Sequence, residues 1–134
     1  MEINVHDFKS YVKNNPFMDY NHIELIEVGP DKSTVRLTIR PESQNLHGTV
    51  HGGLLYALAD CVAGVTARAD GTDYVTQSAH ISFLSNVSSG TIYAMGTTLR
   101  RGHRALFVHI DIRSQSGEQL ADGTVELSRM GQKK

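Results

Sequence analysis

The chain has 134 residues, with 13 Lys and Arg against 14 Asp and Glu and a formal net charge of -1. That length fits one domain, spanning 1–134, with a single core. The balanced charge, free of basic or acidic blocks, excludes general nucleic-acid binding. The lone cysteine, Cys61, excludes a disulfide framework and a cysteine-rich zinc site.

The N-terminus lacks the basic start and apolar core of a signal peptide, so a cytoplasmic protein is expected. Around His6 to Asn14, Val5, Phe8, Tyr11 and Val12 stand at helical spacing, and Asn15-Pro16 stops that helix. Ile23, Leu25, Ile26 and Val28 read as a strand, with Gly29 to Lys32 as its turn. Val35, Leu37 and Ile39 alternate with Thr34, Arg36, Thr38 and Arg40, which completes a hairpin. Pro41 to Gln44 is loop.

Asn45 to Ala69 is the stretch the chain is organised around. It begins polar and glycine-bearing and becomes a long apolar run. Apolar residues fall on every face, which predicts a helix buried all round. Asp60 is the only charged residue between His51 and Arg68. An unpaired buried carboxylate costs several kcal/mol, roughly the stability of a small domain, so Asp60 needs partners or a use. The run is interrupted by that charge and is too short for a bilayer span.

Asp70 to Asp73 turns the chain into a strand from Tyr74 to Leu84, with Val75, Ile81 and Phe83 on one face for much of it. Thr91 to Leu99 is a further strand, ended by a basic turn from Arg100 to Arg104. Leu106 to Arg113 alternates strictly, Ser116 to Glu118 is a hairpin turn, and Gln119 to Ser128 is the last strand. Gly131 to Lys134 is expected to fray. Strands joined by short turns are antiparallel neighbours, so the fold class is α+β, a curved antiparallel sheet wrapped around one helix.

Gly48 and the pair Gly52-Gly53 leave backbone N–H groups open at the start of the long helix. Those N–H groups have no partner inside the helix, and the helix dipole adds positive potential there. A carbonyl oxygen gaining charge would be stabilised at that spot. Asp60 lies eight residues on, roughly 12 Å along the axis. The two cannot grip one small group in the same subunit, but a second copy can supply its own Asp60, and symmetric dimers are the commonest oligomers.

The pattern Asn45-x-x-Gly48-x-x-His51-Gly52-Gly53, with Asp60 following and Ser78 on the next strand, resembles the hotdog-fold acyl-CoA thioesterases of the PaaI-like group. These belong to the 4-hydroxybenzoyl-CoA thioesterase superfamily, and the resemblance covers nearly the whole chain. It implies a homodimer, with tetramers as dimers of dimers, and active sites at the interface. It implies that the Gly52 N–H polarises the thioester carbonyl while Asp60 of the other subunit acts as base or nucleophile. Asn45 positions water or carbonyl, Ser78 assists, and His51 completes the set of catalytic candidates. Gly53 and Tyr56 are implied in substrate binding, as are Arg101, His103 and Arg104 near the coenzyme A nucleotide, where Arg suits phosphate. Coenzyme A is part of the substrate, and no separate cofactor or metal is implied. Polar His47 and His80 stand at positions that vary in the family, which leaves the acyl preference open.

Each residue also has a structural reading. Asp60 can be a carboxylate satisfied by nearby donors, and Asn45 a turn residue or helix cap. His51 reads more naturally as a loop-fixing residue than as a base. Cys61 points about 100° round the helix from Asp60 and reads as a small buried hydrophobe. His47, His51 and Asp60 are too few and too ill-placed for a metal site. Tyr56, Ala63, Gly64, Arg68, His80 and the Phe17-Met18 region are candidates to line an acyl pocket. Two other functions compete with thioester hydrolysis. A hydratase or dehydratase of the same fold would show a proline-rich turn where His51-Gly52-Gly53 stands. A non-catalytic acyl-CoA sensor would carry an appended DNA-binding segment, for which this chain has no room.

Overall fold

The computed structural model describes residues 3–131. In chain order it has α1 (Phe8–Lys13), α2 (Pro16–Tyr20), β1 (Glu24–Glu27), β2 (Lys32–Thr38), a 3₁₀ turn (Pro41–Ser43), α3 (Gly52–Arg68), β3 (Tyr74–Phe83), β4 (Thr91–Arg101), β5 (Ala105–Ser114) and β6 (Gln119–Arg129). The six strands form one antiparallel sheet in the order β1-β2-β4-β5-β6-β3. α3 packs against five of them, β2 through β6. The expected α+β class holds. The fraying expected of the C-terminal tail falls mostly on residues outside those described.

Alternation builds the sheet. In β5 the residues Leu106, Val108, Ile110 and Ile112 are fully buried, and in β6 Val125 and Leu127 continue that layer. Against it lies a face of α3 made by Leu55, Leu58, Ala59, Val62, Val65 and Thr66. Each large aliphatic in this layer gains about 1.5–3 kcal/mol from burial. The Thr66 hydroxyl is satisfied by the Val62 carbonyl at 2.7 Å.

Several expectations are corrected here. Asn15-Pro16 ends α1 but also starts α2: the Asn15 side chain accepts from the Met18 N–H and Pro16 takes the first helical position, where its missing N–H is harmless. Met18 then enters the core, fully buried, and only Phe17 stays half-exposed. Arg100 and Arg101 belong to β4, not to a turn, because the strand runs on past a bulge between Thr98 and Arg100. In β3, Val75 and Phe83 are 49% and 51% exposed whereas Tyr74 and Ile81 are buried. A bulge between Thr76 and Ser78 changes the alternation, so no single face runs the length of that strand.

Candidate active site

The site begins in the loop that feeds α3. The Asn45 carboxamide holds this loop: its Oδ1 accepts from the N–H groups of His47 (2.9 Å) and Thr49 (3.2 Å), and its Nδ2 donates to the Thr49 hydroxyl at 3.0 Å. Gly48, at φ 76°, supplies the left-handed residue the loop needs. At its tip Leu46 is 90% exposed, an apolar side chain with no cover in the protomer. Asn45 therefore shapes the loop and does not reach Asp60 of its own chain.

His51 caps α3. Its Nδ1 accepts the Gly53 N–H at 2.8 Å, which requires that nitrogen to be unprotonated, and its carbonyl accepts from Leu54 at 2.9 Å. The Gly52 N–H, first in the helix, has no acceptor among the described residues. One donor at the helix start is thus taken by the cap and the next remains open. The ring of Phe83 lies 3.9 Å from where a Gly52 Cβ would stand.

α3 is not buried all round in the protomer. His51, Gly53, Tyr56 and Asp60 are exposed, Ala57 is half-buried, and this stripe runs beside β3. Only Gly53 and Ala57 of this stripe are apolar by class, and no described residue covers it. Asp60 is accordingly exposed and not desolvated. Contacts tie the stripe to the strand along its length. The Tyr56 hydroxyl donates to the Ala79 carbonyl at 3.0 Å, the Thr76 hydroxyl donates to Asp60 Oδ1, and Arg68 Nη2 donates to the Tyr74 carbonyl at 2.9 Å. Between helix and strand lies an open groove of about 470 Å³, lined by Gly53, Tyr56, Ala57, Asp60, Thr76, Ser78 and Ala79.

The structure thus brings Gly53, Tyr56 and Asp60 together and adds Thr76, which the sequence reading missed. Counting back by twos from buried Ile81 puts Thr76 on the wrong face; the bulge restores it to Asp60. Ser78 lines the same groove, but its hydroxyl donates to Glu126 Oε1 at 3.1 Å, on a side chain that leaves β6 between buried Val125 and Leu127. Burial, with the Asp60 charge adding to it, pushes the Cys61 thiol up to about 12. Ala63 and Gly64 are buried, not free to line a pocket in the protomer.

The basic cluster divides. Arg101 is no free cation: Nη1 donates to Ala67 O (3.1 Å), Asp70 Oδ2 (2.9 Å) and Tyr74 Oη (3.3 Å), and Nη2 to Pro30 O (2.7 Å) and Thr66 O (3.1 Å). It closes the C-terminal end of α3, where a cation also meets the negative end of the helix dipole. Its expected contact with substrate is therefore displaced by this duty. Burial alone would raise the Asp70 carboxyl. Hydrogen bonds from Tyr74 and Thr72, with the Arg101 charge, outweigh that and hold it below its ordinary value. His103 and Arg104 are exposed in the β4–β5 turn, beside a hollow of about 330 Å³ shared with Ser128 to Gly131.

Among the described residues no group of three or more His, Cys, Asp or Glu is placed to hold a metal ion. No described helix is long and apolar enough to cross a membrane.

Residues 47–121, more than half the chain, match the model of the thioesterase superfamily. Rv1847 of Mycobacterium tuberculosis is 29% identical over 121 residues, 86% of each chain. Its solved structure agrees with a TM-score of 0.84 at 28% identity, covering 89% of this chain and 99% of that one. PaaI of E. coli, from the phenylacetic acid degradation operon, gives a TM-score of 0.86 at 22% identity, over 92% and 90% of the two chains. A hypothetical thioesterase of Streptococcus pneumoniae, solved with coenzyme A, gives 0.78 at 23%, over 87% and 99%. The latter two speak for the fold alone. The matched segment runs from the α3 loop through β5 into β6, and so contains the helix start, the exposed stripe and β3. The chain is a thioester hydrolase on the hotdog fold and belongs to the thioesterase superfamily.

Proposed function

We propose that the protein hydrolyses acyl-CoA thioesters at two equivalent sites, each shared between two copies joined along β3. One observation carries this reading. The open Gly52 N–H and the Asp60 carboxylate lie on one exposed stripe, two helical turns apart, beside an unpaired edge strand. A two-fold axis near Tyr56 sets each Asp60 against the partner's helix start and fills both halves of the site. It also covers the exposed stripe and the edge of β3, which no described residue of the protomer covers.

In this arrangement the thioester carbonyl accepts from the Gly52 N–H, in line with the helix dipole, and charge that develops on its oxygen is stabilised there. Asp60, steered by the Thr76 hydroxyl, acts on the carbonyl carbon from the other subunit, as base toward water or as nucleophile. The C–S bond breaks, the thiolate of coenzyme A takes up a proton, and water supplies the hydroxyl of the free acid. Asn45 and His51 set the loop and the helix start, and Ser78 stands at the edge of the groove. Exposed Arg104 and His103 are the residues of the basic turn left to meet the coenzyme A phosphates. The S. pneumoniae structure with coenzyme A supports that class of substrate.

The test is complementation. Asp60→Asn and Gly52→Pro chains, each inactive alone, should regain release of free coenzyme A when mixed, because one of the two sites in a mixed dimer is intact. No recovery, with mixed dimers shown to form, overturns the shared site.

A further inference from the structure

The segment that leaves β3 is bound to the segment that enters α3. Val50, fully buried, is gripped there on both sides. Its N–H donates to the Val87 carbonyl at 3.1 Å, and its carbonyl accepts from Asn86 Nδ2 at 2.8 Å. Asn86 Oδ1 accepts the Val87 N–H at 2.8 Å. That bond fixes which end of the carboxamide is oxygen, so the atom turned to Val50 is a donor. The brace is itself tied down. The N–H groups of Leu84 and Ser85 donate to the Leu120 carbonyl at 2.8 and 3.2 Å, and the Ser85 hydroxyl donates to Glu118.

These bonds end two residues before the open donor of Gly52. The peptide joining Val50 to His51 is held at both of its polar atoms, the oxygen by Asn86 and the N–H by the Ser43 carbonyl at 2.9 Å. Peptide units are planar, so only φ and ψ of His51, at -61° and 132°, separate that plane from the one carrying the Gly52 N–H. The Val50 carbonyl is also the acceptor that an inverse γ-turn at His51 would offer to the Gly52 N–H, at a ψ of about 65°. Asn86 occupies this carbonyl and holds it out of that turn.

We propose that Asn86 is a positioning residue for thioester hydrolysis. Through the Val50 carbonyl it keeps the Gly52 N–H open and aimed, and it touches no substrate itself. The proposal rests on the Gly52 N–H being the donor to the thioester carbonyl. Such a donor works by standing in place before charge develops, and a misplacement of about 1 Å can cost about 10²-fold in rate. Its bond strengthens as the carbonyl oxygen gains charge, so a donor out of line is missed most in the transition state. The effect therefore falls on kcat.

The experiment takes the fastest substrate from a panel of acyl-CoAs and the thioether in which a methylene replaces its carbonyl. The thioether asks nothing of Gly52, so its inhibition constant reports binding alone. Asn86→Asp keeps the size and the acceptor for Val87 but sets a second acceptor against the Val50 carbonyl. Asn86 is exposed, so the core is untouched. In this variant kcat should fall at least roughly tenfold, with the inhibition constant of the thioether within about twofold. Asn86→Ala deletes the donor without adding a charge, should give the same split, and decides the matter if Asn86→Asp fails to fold. Gln44→Ala is the control. Gln44 Nε2 donates to the Ser88 carbonyl at 3.0 Å and ties the same two segments away from Val50, so its loss should leave kcat as in the wild type. An unmoved kcat in the Asn86 variants, a thioether that loses affinity in step with kcat, or an equal loss in Gln44→Ala overturns the proposal while thioester hydrolysis stands. Hydrolysis of no acyl-CoA by the wild type would instead overturn the reading of Gly52, and the proposal with it.

Discussion

β1 and β3 are the two edges of one sheet and meet solvent in opposite ways. β1 is four residues long, carries Glu24 and Glu27 at its ends, has a bulge between Leu25 and Glu27, and is contacted by α1. Shortness, charge, bulges and cover are the usual means by which an edge avoids pairing. β3 is ten residues long, has no Asp, Glu, Lys or Arg, and leaves Val75 and Phe83 half-exposed. A long, uncharged edge beside an exposed helix stripe is what a partner strand requires. The contrast teaches that the protomer is finished on one side only, and the open side holds Asp60, Thr76 and the Gly52 N–H.

The largest effect expected is at the carboxylate. Asp60→Asn should lower kcat by at least roughly 10²-fold, the common worth of a positioned base. Because Asp60 is exposed and bonded to an exposed threonine, the melting temperature should hardly move. Turnover and thermal unfolding on the same sample decide this; full turnover with a lowered melting temperature would make Asp60 a strut between α3 and β3.

Next comes the edge itself. Val75→Lys with Gln77→Lys sets like charges along the proposed seam and should cost several kcal/mol of association, so that sedimentation shows monomer and hydrolysis is lost with it. Ile26→Lys on β1 should leave both unchanged. Dissociation by the β1 variant and not by the β3 pair would reverse the assignment of the open edge.

A smaller effect separates two hydroxyls of β3. Thr76→Val deletes a hydrogen bond to a charged group, worth about 1.5–3 kcal/mol, and should lower kcat roughly tenfold or more. Ser78→Ala, which releases a bond to Glu126, should change kcat little. The opposite ranking would return the catalytic hydroxyl to Ser78.

Arg104 and Arg101 of the basic cluster differ in kind more than in size. Arg104→Ala should raise KM a few-fold with little change in kcat, and rising salt should imitate it. Arg101→Ala should lower the melting temperature by several degrees, since it removes the bonds that close α3. Asp70 adds an acid limb to that stability. Its folded-state carboxyl lies below its ordinary value, so its contribution is complete above the unfolded pKa of about 4 and is lost as pH falls through the depressed one. Asp70→Asn should flatten that limb in acid unfolding curves. A melting temperature unaffected by Arg101→Ala would free that residue for substrate after all.

By itself the sequence determined the long helix and the strands, because periods of 3.6 and 2 in apolar residues are local properties of the chain; their order it did not, for β3 and β4 are joined by a short connection yet β3 pairs with β6. The spacing from Gly52 to Asp60, and with it the need for a second copy, was legible for a local reason too: helix rise turns residue number into distance. Only the tertiary structure decided which faces are covered. Asp60, read as buried among apolar neighbours, is exposed because β3 is the last strand and no described element lies beyond it. One extra residue near Gln77 turned Thr76 toward the carboxylate, and a bulge has no periodic signature to announce it. Arg101 looked like part of a solvated turn until the end of α3 was packed beside β4, for the carbonyls that claim its guanidinium come from residues about 30 to 70 positions away and can be found only in the folded chain.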